Sequence, residues 1–154
     1  MPISIRKIVS LSPAIDPLGT DALVEGYDFV DTLVDEWVSG ENHFDRRGET
    51  LLGCFDDSAQ ELIGVGGLNI DPFAGDDGLG RIRKVYIRPR WRNQGIGKAL
   101  VAALVEEARK SFQNVRLRAE NSNAARLYER LGFVSIIDPD ATHIFRFSQT
   151  APKS

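Results

Sequence analysis

The sequence contains a single cysteine, Cys54, so no disulfide can form within this chain. A lone thiol is typical of a protein from a reducing compartment, and we therefore expect a cytoplasmic location. Cys54 lies in the apolar run from Leu51 to Phe55. This setting favours a buried structural thiol over a nucleophile.

The sequence also lacks long hydrophobic runs and any large excess of charge. No apolar stretch approaches the ~18 residues of a membrane span, and the alternating start with Arg6 and Lys7 predicts a strand rather than a signal peptide. The formal net charge of −3 gives no support to nucleic acid or a membrane surface as partner. We expect one domain over residues 1–149 and a frayed tail at residues 150–154.

The most informative stretch is a glycine turn between a predicted strand and a predicted helix. The strand is a β-branched and aromatic segment that stops at Pro89, and apolar residues recur at helical spacing from Ala99 to Ala108. Such a turn points unpaired backbone N–H groups at one place, with the positive end of the helix dipole behind them. This arrangement binds anions, most often phosphate.

Three phosphate-binding patterns compete for this turn. A P-loop is excluded because Arg92 stands where its first glycine is required and Ala99 where its Ser or Thr is required. A dinucleotide fingerprint needs a third Gly or Ala, and Leu100 takes that place. The third pattern, Arg/Gln-x-x-Gly-x-Gly/Ala, is matched in full by residues 92–97.

A second block follows one predicted helix and one predicted strand later. Residues 121–133 read Asn-Ser-Asn-Ala-Ala-Arg-Leu-Tyr-Glu-Arg-Leu-Gly-Phe. The two blocks, in this order, resemble the acetyl-CoA pyrophosphate loop and the second signature of the GNAT family of N-acetyltransferases. The resemblance is close over residues 79–135 and extends to residues 1–75 only in general layout.

The resemblance implies an α/β fold of the GNAT-type acyl-CoA N-acyltransferase class. In this fold a central mixed, mostly antiparallel sheet is flanked by helices, and the parallel strands 4 and 5 splay apart to admit the cofactor's pantetheine arm. The patterns along this chain predict the order β-α-β-β-β-α-β-α-β-β, with the first strand over about residues 3–9, the fifth at residues 115–119 and the last helix stopping at Gly132. Its first helix runs from an N-cap at Thr20 or Asp21 to about residue 38, and one helix of the usual family layout is missing. Gly64, Gly66 and Gly67 predict a bulge or a close contact within one strand.

The resemblance also implies where acetyl-CoA binds as cosubstrate, without a metal. Seven consecutive residues would surround its pyrophosphate: Arg92, Asn93, Gln94, Gly95, Ile96, Gly97 and Lys98. The backbone of the preceding strand would bind pantetheine and hold the developing oxyanion, through Val85, Tyr86 and Ile87. Asn121 would lie at the edge of the cofactor arm, and a helix N-cap explains the same residue equally well.

Tyr128 is the predicted catalytic residue. At the matching position, family members use a phenol to protonate the departing CoA thiolate. The chemistry is reasonable, because a phenol with a pKa near ~10 keeps a proton that a thiol with a pKa near ~8.5 can take. The alternative is a tyrosine that only packs beside Leu127 and Leu131.

The base on the amine side is not identified. Some family members carry a glutamate at the position of Arg116, so that carboxylate is absent here. The remaining candidates are Glu41, His43, Asp71 or a bound water, and Asn69 is a candidate for orienting the acceptor. Four arginines on the central strands either favour an anionic acceptor or are ion-paired or solvated: Arg81, Arg83, Arg116 and Arg118.

We therefore predict an acetyl-CoA-dependent N-acetyltransferase. It would move an acetyl group to a primary amine of a small-molecule or peptide acceptor, by direct attack in a ternary complex. The resemblance also allows a homodimer. The alternative is a non-catalytic acyl-CoA-binding regulatory or interaction module on the same fold.

Overall fold

The computed structural model describes residues 2–147, so the tail predicted at residues 150–154 lies outside the described part. The elements are β1 Ile3–Lys7, α1 Asp16–Val24, α2 Phe29–Ser39, β2 Thr50–Asp56, β3 Glu61–Ile70, β4 Leu79–Ile87, α3 Ile96–Ser111, β5 Asn114–Leu117, α4 Ser122–Arg130, β6 Val134–Ser135 and β7 His143–Arg146. Within residues 2–147, the strands form one sheet in the order β1-β2-β3-β4-β5-β7-β6.

The parallel pair in this sheet is β4 and β5, and it separates after a few residues. Residues 79–81 of β4 pair with residues 114–116 of β5, the last pair being Arg81 with Arg116. Strand β4 then continues to Ile87 along β3 alone. The splayed pair that the resemblance implied is therefore confirmed, and a gap opens beside residues 82–87.

The helices cover both faces of the sheet. One apolar cluster joins α1 and α2 to Leu51, Val65 and Tyr86. The other joins α3 and α4 to Leu52 and Ile87, among others. Because adjacent strand residues point to opposite faces, the two clusters lie on opposite sides of the sheet. Cys54 is fully buried, as predicted. Burial raises the pKa of its thiol to about 12.

The prediction of one helix up to residue 38 is wrong, because two helices occupy this segment. Helix α1 begins at Asp16, with Pro17 in its first turn, so neither Thr20 nor Asp21 is its N-cap. Gly26 then adopts a φ of 89° and breaks the helix before α2. The helix expected to be missing is therefore present. Periodicity did not reveal the break because both helices place apolar residues on the same face of the sheet.

The other bounds agree within a few residues. Strand β1 ends at Lys7 instead of residue 9, and β5 covers residues 114–117 instead of 115–119. Gly132, the predicted end of α4, has a φ of 110°. None of the helices within residues 2–147 is long and apolar enough to cross a membrane.

The glycines of β3 were predicted to mark a bulge or a close contact, and the structure contains both. The register between β3 and β4 shifts between Val65 and Gly67. Opposite this shift, Lys84 of β4 has a φ of 61°, so the bulge residue is not a glycine. A Cβ on Gly66 would lie 2.9 Å from Leu104 Cδ1, and a Cβ on Gly67 would overlap the ring of Phe44.

We expect Gly67→Ala to lower the free energy of unfolding by about 1–3 kcal/mol, because the added methyl overpacks the buried Phe44 ring. Denaturant unfolding measures this change. Adding Phe44→Leu to Gly67→Ala makes room for the methyl and should recover part of the loss. If Gly67→Ala is as stable as the native chain, the close contact does not constrain this strand.

Candidate functional site

The glycine turn presents a row of backbone N–H groups without protein partners. Gly95 is the N-cap of α3, with a φ of 81° and no side-chain capping bond, and Asn93 adopts a φ of 63°. The first backbone bond of the helix joins Ala99 N to Gly95 O at 3.0 Å. Among the described residues, none accepts a hydrogen bond from the N–H groups of residues 93–98. Such a row at a helix N-terminus is suited to a phosphate group.

The guanidinium of Arg92 is engaged inside the protein. It donates two hydrogen bonds of 2.7 Å to Glu25, at the end of α1, and its Nε donates to Ile87 O at 2.9 Å. The phenol of Tyr86 donates to the same carboxylate at 2.5 Å. The hydrogen bond from Arg92 holds the pKa of Glu25 below its ordinary value, despite an opposing effect of burial. Arg92 thus anchors the turn to α1, and a direct contact of its side chain with phosphate stays a prediction.

The gap between β4 and β5 contains a cavity of about 210 Å³. Its lining combines β4, the segment after β5, and side chains from α2 and α4: Phe29, Ile82, Val85, Leu117, Glu120 and Tyr128. Beyond Arg81, β4 has no ladder partner on this side. The backbone of Val85, Tyr86 and Ile87 therefore lies along an open strand edge near the glycine turn, although Ile87 O already accepts from Arg92. Their contact with pantetheine stays a prediction.

Tyr128 lies at this cavity and is almost fully buried, with 6% of its surface exposed. Its ring packs against Phe133, with the ring centroids 5.8 Å apart. Burial, assisted by Glu120, raises the pKa of Tyr128 to about 12. At this pKa the phenol is protonated at neutral pH. Within the described part of the chain it has no hydrogen-bond partner, so it is free to donate.

Asn121 caps helix α4. Its Oδ1 accepts a hydrogen bond of 2.9 Å from Ala124 N. The N-cap alternative is therefore correct as a description of the fold. The amide nitrogen of Asn121 is not used by the cap, and its contact with a cofactor stays a prediction.

Asp71 is committed to an ion pair. Its side chain is fully buried and accepts from Arg116 Nε at 2.7 Å and from Arg81 NH1 at 3.3 Å. Burial acts to raise the pKa of Asp71, but the hydrogen bond from Arg116, a backbone bond and both arginine charges outweigh it and leave the pKa low. We therefore exclude Asp71 as the base on the amine side.

The two arginines around Asp71 are not equivalent. The hydrogen bonds that Arg116 donates to Asp71 raise the pKa of Arg116, whereas burial lowers the pKa of Arg81. The geometry agrees, because Arg116 makes two short bonds to Asp71 and Arg81 makes one longer bond. The ion-paired interpretation of Arg81 and Arg116 is therefore correct. Arg118 donates to Pro139 O at 2.7 Å.

Two further candidates have structural partners. His43 Nε2 lies 2.8 Å from Trp37 O and therefore carries the proton, and its ring packs against the Trp37 ring. Asn69 exchanges two amide hydrogen bonds of 3.0 Å with Asn42, which fixes the loop after α2 to the end of β3.

A second cavity, of about 400 Å³, lies between this loop, the end of β3 and Arg83 in the middle of β4. Glu36, Glu41, His43 and Asn69 line it. It shares Phe73 and Arg83 with the cavity at Tyr128, so the two spaces adjoin. A molecule in the second cavity would reach the gap from the face that α2 covers. This arrangement suits a site with two substrates.

Sequence reasoning missed three residues: Glu36 and Lys84, which line these cavities, and Glu25, which binds Arg92. Glu25 contacts Arg92 across 67 positions of sequence, and no local pattern predicts such a pair. Lys84 carries the bulge, which the glycines of β3 indicated on the partner strand only. Glu36 looked like an ordinary polar position on an amphipathic helix.

The open gap, the row of free N–H groups and the buried phenol beside them define the class of acyl-CoA-dependent acyltransferase folds. The sequence comparison agrees, since the profile described as the acetyltransferase (GNAT) family matches residues 20–133. The chain belongs to this family.

The three individual relatives described next share between 15% and 35% sequence identity with this chain over the matched residues. Mycothiol acetyltransferase from Kocuria rhizophila is 35% identical over 98 residues, which are 61% of this chain and 32% of the relative. The chain thus spans about a third of that curated relative's length. A putative acetyltransferase from Exiguobacterium sp. 255-15 superposes with a TM-score of 0.83 at 24% identity, over 95% of this chain and 94% of that one.

A further similar structure carries a ligand. The putative acetyltransferase yncA from Salmonella typhimurium, solved with its cofactor acetyl-CoA, superposes with a TM-score of 0.70 at 15% identity. The match covers 99% of this chain and 98% of that chain. Likenesses at this identity show the shared fold.

Proposed function

We propose that the protein is an acetyl-CoA-dependent N-acetyltransferase that transfers the acetyl group to a primary amine by direct attack in a ternary complex. The observation that carries the proposal is the row of free N–H groups at residues 93–98, beside a gap that contains Tyr128. Membership of the GNAT family supports acetyl-CoA as the cosubstrate.

The proposed roles follow from where the groups lie. The N–H groups of residues 93–98 hold the pyrophosphate, and the exposed Lys98 adds positive charge at the same end of α3. The open edge of β4 binds the pantetheine amides, and one of its N–H groups holds the carbonyl oxygen as negative charge develops. Acetyl-CoA supplies the activated acyl group. Tyr128 then gives its proton to the thiolate that leaves.

The test is calorimetric titration of the native chain with acetyl-CoA, followed by an assay of thiol release with a panel of primary amines. We expect binding and release with at least one amine. Binding without release across the panel would favour the non-catalytic acyl-CoA-binding module. No binding to the folded native chain would contradict both functions.

We expect Tyr128→Phe to lower kcat by about 100-fold, the smaller end of what a positioned general acid contributes. The ring and its packing on Phe133 remain, so the affinity for acetyl-CoA should stay unchanged. Because the pKa of Tyr128 is raised to about 12, the native enzyme should not lose activity through ionisation of this phenol below about pH 10. Steady-state kinetics between about pH 6 and pH 10, where a phenol stays protonated, measure both the loss of kcat in the variant and the constant activity of the native chain.

The matched control is Tyr27→Phe, which removes a phenol oxygen between α1 and α2 from a residue that does not line the cavity at Tyr128. It should retain native kcat. Equal turnover by Tyr128→Phe and the native chain at every pH would remove Tyr128 from the role of acid and leave it a packing residue.

A further inference from the structure

The bulge of β4 places two cations and one carboxylate together beneath α2. Lys84 adopts a φ of 61°, which is rare for a residue with a side chain. Its side chain is only 7% exposed, and its Nζ lies 3.9 Å from Glu36 Oε2. Arg83 NH2 lies 4.0 Å from the same oxygen. Strained backbone and buried charge together are typical of functional sites.

The carboxylate of Glu36 has charge partners but no hydrogen-bond donor. Its side chain is 15% exposed, and within residues 2–147 no group donates a hydrogen bond to its oxygens. Buried carboxylates are normally satisfied by donors. The two cations lie beyond hydrogen-bond distance. Glu36 lines the 400 Å³ cavity, so a donor can reach it from there.

The other groups that line this cavity are either used or exposed. Glu49 accepts from the backbone N–H groups of Arg46 and Ile70. His43 is bonded to the carbonyl of Trp37. Glu41 and Asp45 are exposed to solvent. Glu36 is therefore the one half-enclosed carboxylate among the described residues of this cavity that retains its full accepting capacity.

We propose that Glu36 binds the ammonium group of the acceptor and accepts its proton, and that Lys84 and Arg83 position the carboxylate. This proposal rests on the proposed function and deepens it. It makes the acceptor an amine that is a cation in water, and it places its entry on the α2 side of the sheet. Arg83 and Phe73, which border both cavities, mark the passage to the gap.

The proton and electron balance closes without another reactant. The ammonium gives one proton to Glu36, and the free amine attacks the thioester carbonyl. The C–N bond forms, the C–S bond breaks, and the thiolate takes a proton from Tyr128. The nitrogen, now an amide, loses a second proton that restores the phenol. Glu36 then releases its proton to solvent, so the net products are the amide, the thiol and one proton.

The charges around Lys84 are consistent with a positioning role. Burial lowers the pKa of Lys84, and Arg83 acts in the same direction, whereas Glu36, Asp28 and Glu41 act to raise it. One oxygen of Glu36 lies within 4.0 Å of both Arg83 and Lys84, so the three charges form a compact cluster. Removing Lys84 would leave Glu36 with a single cation at the same distance.

The experiment uses the full chain with acetyl-CoA and a panel of amines that includes 1,4-diaminobutane, glycinamide and benzylamine. We expect Glu36→Gln to lower kcat/KM for the amine by about 100-fold, as removal of a general base does. Affinity for acetyl-CoA should stay native. Glu36→Asp keeps a carboxylate and should retain part of the activity. The matched control is Asp35→Asn, on the exposed side of α2, which should behave like the native chain.

Rescue by a conservative variant separates this role from a merely structural one. Without the Lys84 cation, Glu36 keeps Arg83 as its remaining charge partner among the described residues, so Lys84→Met should lower kcat with the amine by up to about 100-fold, as misplacement of a catalytic group does. Lys84→Arg keeps a cation and should retain part of kcat, and both variants should bind acetyl-CoA with native affinity. If Glu36→Gln does not fold, the double variant Glu36→Gln, Lys84→Met removes both charges together. It should fold, bind acetyl-CoA and still lack transfer.

The outcomes distinguish this proposal from the proposed function. If Glu36→Gln retains native turnover and Glu41→Gln is inactive, the role of Glu36 is overturned and the proposed function as an enzyme stands. Native kcat in Lys84→Met would remove Lys84 as a positioning residue. A native chain that releases no thiol with any amine would overturn the proposed function, and this assignment with it.

Discussion

Gly97→Asp is expected to weaken acetyl-CoA binding by at least about 100-fold, or roughly 3 kcal/mol. The substitution places a carboxylate at the first turn of α3, where the row of N–H groups would face pyrophosphate. Two like charges about 4 Å apart near a protein surface repel by roughly 4 kcal/mol, which is enough for this loss. Calorimetric titration of both chains measures it directly.

The structure supplies a control for this effect at the same position. A Cβ on Gly97 would lie 3.6 Å from Ile87 Cγ1 and 3.9 Å from Leu127 Cδ2, both ordinary contacts. Gly97 also has no positive φ, unlike Gly95. Gly97→Ala should therefore fold normally and keep most of the affinity, in agreement with the Gly/Ala choice in the sequence pattern. Native affinity in Gly97→Asp would show that pyrophosphate does not bind at this turn.

Asp71→Asn is expected to lower the free energy of unfolding by about 3–5 kcal/mol, the usual result of removing one partner from a buried ion pair. Two arginine side chains, each less than 10% exposed, would lose the buried carboxylate that they share, and Arg116 would keep Asp138 at 3.3 Å. Thermal or denaturant unfolding at neutral pH measures the loss. Asp77→Asn, in the exposed part of the same loop, should have little effect.

The contribution of Asp71 to stability should also depend on pH in a definite direction. The pKa of Asp71 is lower in the folded chain than its ordinary value. Its contribution to stability is therefore complete above about pH 3.9, the ordinary value, and is lost as the pH falls through the folded pKa. The stability difference between the native chain and Asp71→Asn should shrink in this acid range. A constant difference down to pH 2, a limit of about two units below the ordinary pKa, would contradict the ion-pair explanation.

The sequence predicted the parts of the site that local patterns encode. The free N–H groups follow from a strand, two glycines and a helix in sequence, and Asn93 adopts the positive φ that its residue type allows. Tyr128 lies inside one amphipathic helix, so its inward face could be predicted as well.

The remaining features depend on contacts between distant segments. The partner of Arg92 is Glu25, which directly follows α1, and the partner of Lys84 is Glu36 on α2. A charged residue on an amphipathic helix carries no local mark of the strand that it will face. The break at Gly26 was hidden for a related reason, because the apolar spacing continues on the same face after the break.

The buried ion pair of Asp71 also sets the length of the gap between β4 and β5. Arg81 and Arg116 are the last ladder partners of β4 and β5, and both turn toward Asp71. The gap is closed firmly at this end and extends along the six residues from Ile82 to Ile87, about 20 Å at the usual rise of a strand. A molecule that fills the gap must be narrow and extended. Its reacting atoms must lie at the closed end of the gap or at a point before that end. Each additional ladder pair would shorten the reach of such a molecule by about 3.3 Å.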